Sequence, residues 1–150
     1  MSAASTPETR ILLITTADSS YPGADTVGQM HLGYPTNSSV IRVPDPVMLP
    51  ERFYLYCFKK GFDGIVVMSS GAECPYEGSY ERLAKRLDRL TGVLKEQGID
   101  FRRVKLCAIC TVCAASFVRE VNQMAQLLDE IGPVDRDAVV LEEEPAARAG

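Results

Sequence analysis

Two kinds of hydrophobic pattern alternate along this chain of 150 residues. Short, nearly unbroken apolar runs occupy Arg10 to Thr15, Val40 to Val43, Gly64 to Met68 and Val104 to Ile109, the length and continuity of strands buried on both faces. Between them the apolar residues recur at helical spacing. Pro22 opens a short predicted helix that ends at Gly33, with proline in the first turn where its missing N–H costs nothing. Pro50 to Lys60 predicts a second, closed by Gly61 and burying Phe53, Tyr56, Cys57 and Lys60 on one face. Ser79 to Gln97 is the most strongly patterned, with Leu83, Leu87, Leu90 and Leu94 on one stripe and Gly98 as its stop. The last helix runs from Ala114 to Ile131, carries Phe117, Val121, Met124 and Leu128 as its buried stripe, and ends at Gly132-Pro133.

The order is therefore β-α-β-α-β-α-β-α, which predicts an α/β fold: three layers, flavodoxin/Rossmann-like, with a four-stranded parallel sheet covered by helices on both faces. Residues 1–9 read as a polar leader, 10–133 as one domain, and 134–150 as an acidic, extended tail. In open parallel sheets the functional crevice lies beyond the carboxyl ends of the strands. Ala17 to Tyr21, Ser69 to Tyr76 and Cys107 to Cys113 are expected to meet there.

Composition narrows the function. No apolar run approaches the ~20 residues of a membrane helix, so no membrane span is expected. A net charge of −4 argues against a surface built to bind nucleic acid. The leader lacks the apolar core of a signal peptide, so the expected compartment is the cytoplasm, where thiols stay reduced. Charge is nevertheless uneven: eight of the 16 Lys and Arg residues lie between Arg82 and Lys105, while Glu142 to Glu144 form an acidic run. Both features suit docking on a partner.

The five cysteines carry the chemistry. Cys57 reads as a small hydrophobe on a helix face. Cys74 follows the third strand, and Cys107, Cys110 and Cys113 form a C-x2-C-x2-C cluster that leaves the carboxyl end of the fourth. Three thiolates at this spacing turn toward one centre, and a remote fourth completes the set that an iron-sulfur cluster or zinc requires. The positive end of the helix beginning at Ala114 would favour such an anionic centre. The competing reading is that these are buried strand-end thiols. His31, the one histidine, has no partner base and reads as structural. Ser69-Ser-Gly71 suggests a phosphate-binding turn, but neither G-x-G-x-x-G nor a P-loop is present, leaving a flavin- or nucleotide-binding module as an alternative.

Several motifs together resemble a known family. Ser20-Tyr-Pro-Gly-Ala-Asp25, Tyr34-Pro35, Ile41-Arg-Val43, Gly61-Phe-Asp-Gly-Ile-Val-Val67, Glu73-Cys-Pro-Tyr76, Glu77-Gly-Ser-Tyr80 and Arg103-Val-Lys-Leu106 are similar to the iron-sulfur delta subunit of methyl-viologen-reducing hydrogenase. The resemblance implies a small, non-catalytic α/β protein carrying a [2Fe-2S] cluster. It would relay electrons between a heterodisulfide-reductase-like flavoprotein subunit and another oxidoreductase. It also implies cysteines where this chain has Ala17, Asp18 and Ser19, and one more after the second strand, where this chain has Pro44 and Asp45; of the pair after the third strand only Cys74 has a counterpart. Cys107, Cys110 and Cys113 rest on spacing alone, and with Cys74 that spacing points instead to [4Fe-4S]. Two expectations follow: a cluster moved onto Cys74, Cys107, Cys110 and Cys113, or a cluster-free or zinc-binding structural adaptor.

Overall fold

The computed structural model describes residues 9–17, 37–71, 77–109 and 114–141. Strands β1 (Ile11–Thr16), β2 (Ser38–Val43), β3 (Gly64–Ser69) and β4 (Val104–Ala108) form one sheet in the order β2-β1-β3-β4. Every pairing is parallel. The two central strands are buried at every position, which is why their sequences are continuous apolar runs rather than alternating ones. Successive side chains still point to opposite layers. Leu12, Ile14, Ile65 and Val67 enter one core, against helices α1 (Glu51–Lys60) and α2 (Ser79–Glu96). Ile11, Leu13, Val66 and Met68 enter the other, against helix α3 (Ala114–Ile131). The three-layer α/β architecture is thus present, and the stripes predicted for α2 and α3 are both buried.

The differences from expectation have physical causes. In α1 the buried residues are Tyr54, Leu55, Cys57 and Phe58, whereas Tyr56 is 51% exposed and holds the Lys60 ammonium 5.3 Å from its ring centre. Aromatic residues occur all round this helix, so periodicity alone does not select the face, and packing against both sheet and α2 does. β4 ends at Ala108, so Cys107 lies inside the strand opposite Met68 instead of beyond it. The helix predicted over 22–33 lies outside the described residues.

The stretch after Pro133, whose composition suggests an extended arm, packs on the body as far as residue 141. Val134 and Val139 are buried in the α1/α2 core. Lys59 Nζ donates to the carbonyls of Arg136 (2.8 Å) and Val139 (3.3 Å). The Gln97 amide bonds both the carbonyl (3.0 Å) and the N–H (3.1 Å) of Val140.

One carboxylate closes the amino-terminal end of the sheet. Asp63, only 1% exposed, accepts from the backbone N–H groups of Arg10 and Val134, both at 2.9 Å, and from Arg136 Nη2 at 2.6 Å. Arg136 also donates to the carbonyls of Phe58 (2.8 Å) and Phe62 (2.6 Å), and the buried Arg103 donates to the Asp63 carbonyl at 3.1 Å. This lock stands at the opposite end from the strand exits. Asp63→Ala should therefore destabilise the fold by about 3–5 kcal/mol, since it leaves buried donors and a guanidinium unpaired, and urea denaturation of the full chain measures the loss.

Candidate functional site

The carboxyl edge of the sheet is held in two halves. On one side, pairing of β1 with β2 continues past the strands through Ala17 N–H to the Val43 carbonyl (2.9 Å), and the Thr15 hydroxyl donates to the Ile41 carbonyl (2.7 Å). On the other, the Ile109 N–H donates to the Ser69 carbonyl (3.0 Å), so the exits of β3 and β4 stay paired. The chain then turns at Gly71, whose N–H bonds the Ser69 hydroxyl (3.2 Å) and whose φ is +61°. A Cβ on Gly71 would stand 2.9 Å from that of Ala108. Glycine is required here on both counts, positive φ and close approach.

A second tie crosses the edge. The Ser79 hydroxyl, on the first residue of α2, donates to Asp45 Oδ2 at 2.6 Å, and Asp45 Oδ1 accepts from Val47 N–H at 2.9 Å within a 3-10 turn, Pro46–Met48. Two helical turns further along α2, Arg86 donates to the carbonyls of Val47 and Leu49, the latter at 2.9 Å. The basic stretch is accordingly less free than its composition suggests. Arg86 clamps the turn, Arg89 pairs with Glu51 (2.7 Å), Arg102 with Asp100 (2.7 Å), and Lys105 with Glu120 and with Gln123 (2.7 Å). An aspartate ahead of a proline turn is a legible local cap; that its other oxygen reaches Ser79, 34 residues away, has no local signature.

Of the cysteines read as ligands, Cys74, Cys110 and Cys113 lie outside the described residues, as does His31. Cys107 is half-buried, packs with the α3-side core and donates from Sγ to the Val67 carbonyl at 3.7 Å. Burial first, then the Glu120 carboxylate, push its thiol up to about 12, with Lys105 pulling the other way. Cys57 is buried in α1 and pushed up to about 11 by burial. Among the described residues no three His, Cys, Asp or Glu side chains gather around a common point. What the structure brings together is the pair of exits from which the cysteine segments leave.

Residues 11–132 match the family described as methyl-viologen-reducing hydrogenase, delta subunit. The chain belongs to that family. Two similar relatives are iron-sulfur subunits D of F420-non-reducing hydrogenases. The Methanocaldococcus jannaschii protein (vhu) is 28% identical, over 75% of this chain and 85% of its own length. The Archaeoglobus profundus protein is 29% identical, over 84% and 93%. A third relative, from Methanosarcina acetivorans, belongs to the ferredoxin/F(420)H(2)-dependent CoB-CoM heterodisulfide reductase and is 35% identical over 77% of this chain. The chain spans 15% of that relative's length. In this member of the delta-subunit family the stretch just after β2 carries Asp45, which is bonded to Ser79.

Two outcomes test the edge. Gly71→Ala, forced into positive φ against Ala108, should cost about 1–3 kcal/mol in a denaturant titration. In metal-free protein with the other four cysteines replaced by serine, Cys107 should be alkylated by iodoacetamide at pH 8 about a hundredfold more slowly than in urea. Because the folded thiol keeps its proton where the unfolded one has lost it, Cys107 lowers stability as pH climbs from the ordinary thiol value toward 12.

Proposed function

We propose that this chain is an iron-sulfur electron-transfer subunit. It relays electrons between a heterodisulfide-reductase-like flavoprotein subunit and another oxidoreductase module in a cytoplasmic complex. Its cluster is held by Cys74, Cys107, Cys110 and Cys113, and the protein performs no bond-making chemistry of its own. The observation that carries this reading is the contact between the exits of β3 and β4 at Gly71 and Ala108. Cys74 is three residues past Gly71, and Cys110 and Cys113 are two and five past Ala108. Three residues of chain reach at most ~10 Å, so segments that start in contact are within range of one centre. The partner rests on the heterodisulfide reductase relative, of which a stretch similar to this chain is a covalent part. A partner joined by mass action in one organism is then joined by a peptide bond in another.

A second reading, the cluster-free or zinc-binding adaptor, is favoured by one observation: the Cys107 thiol donates to the Val67 carbonyl at 3.7 Å. Coordination would have to remove that proton and that bond. Anaerobic purification of the full chain followed by iron, sulfide and zinc analysis separates the two. The expected result is a coloured protein with stoichiometric iron, which Cys74→Ser, Cys110→Ser or Cys113→Ser each deplete by most of its content and Cys57→Ser leaves unchanged. A colourless protein with one zinc, or with no metal, would replace electron transfer with the adaptor.

A further inference from the structure

We infer that Asp45 is a positioning residue for the cysteine-bearing edge: its carboxylate fastens the exit of β2 to the first residue of α2 and so fixes the downstream end of the segment that carries Cys74. The inference rests on the proposed cluster site for its functional meaning, but its structural content stands apart from any metal.

The segment between Gly71 and Glu77 has two ends, and each is held by a different strand. Its upstream end is Gly71, pressed against Ala108 at the β4 exit. Its downstream end runs through Gly78, φ +72°, into Ser79, 2% exposed. Gly78 occupies the N-cap position of α2 and makes no side-chain cap bond, so the helix start is not secured by its own sequence. Asp45 supplies what is missing. Only 7% exposed, it places a carboxylate beside the positive end of an 18-residue helix and takes the Ser79 hydroxyl at 2.6 Å.

Stability alone is a poor reason for this arrangement. A carboxylate taken out of water is costly, and a well-packed apolar side chain at such a place often serves as well or better. What a charged, two-oxygen acceptor adds is geometry: Oδ1 fixes the 3-10 turn through Val47, and Oδ2 fixes the helix start through Ser79. Arg86 repeats the grip from seven residues along the same helix face, on the carbonyls of Val47 and Leu49. The turn and α2 therefore move as one body. A ligand loop entering α2 inherits the position of β2, which is separated by two strands from the β4 exit that anchors its other end.

The test uses the full chain with Ser79→Ala and, separately, Asp45→Asn. In metal-free protein, amide hydrogen exchange at residues 77–80 should accelerate about tenfold or more over wild type, with α3 and the β1 to β3 pairing unchanged. In anaerobically reconstituted protein both variants should keep wild-type iron content but show an altered electron paramagnetic resonance line shape and a shifted midpoint potential. Exchange at 77–80 that matches wild type, or that rises equally over the whole chain, would overturn the inference and leave Asp45 as a general contributor to stability. Wild-type potential and line shape in iron-loaded variants would overturn it as well. If wild-type protein takes up no iron, the cluster reading fails, and the exchange experiment alone then decides the role of Asp45.

Discussion

Parallel pairing of β1 with both β2 and β3, buried on both faces, is the constraint from which the rest of this protein follows. Parallel neighbours cannot be joined by a tight turn, so a connection from one to the next has to cross the sheet, and amphipathic helices are the segments that do this while covering it. That covering is what demands two separate cores, one under α1 and α2 and one under α3. It also sends every strand out at the same edge. The edge that holds the candidate site is thus not an added feature; it is where a sheet of this kind necessarily leaves its strand exits.

The two ends of the sheet are used differently. At the amino-terminal end, backbone and guanidinium donors from four residues in three parts of the chain converge on Asp63 and its neighbourhood. At the carboxyl end, the ties are single bonds between exits, such as Ile109 to Ser69 and Ser79 to Asp45. Among the described residues the buried charged network thus lies at the pole away from the candidate site.

Much of this is legible in the sequence, for identifiable reasons. Strands buried on both faces announce themselves as continuous Ile, Leu and Val runs, and α2 and α3 carry one clean stripe each, so the pattern places these elements within a residue or two. The face of α1 is not legible in the same way, because Phe53, Tyr54, Tyr56 and Phe58 give two helical stripes of similar apolar character, and only the tertiary neighbours choose between them. The stretch from Val134 misleads because its acidic composition outweighs its three valines and Arg136, whose partner, Asp63, lies 73 residues back. At the site, the cysteine spacing and the strand exits are readable. The tie between Asp45 and Ser79 and the bond from Cys107 to Val67 are not, because neither side chain's neighbours in sequence encode its partner.

The Asp63 lock has a further consequence for how such a unit can be built into larger proteins. Because Arg10 and Val134 donate to the same carboxylate, the two ends of the family-matching stretch, residues 11–132, sit side by side, on the pole facing away from the strand exits. Adjacent entry and exit make a domain a cassette: flanking sequence can be attached at either point, or the whole unit spliced into a host chain, without prising the sheet apart or covering the opposite pole. A fold of this geometry is portable, able to stand as a separate protein in one assembly and as a fraction of a long polypeptide in another.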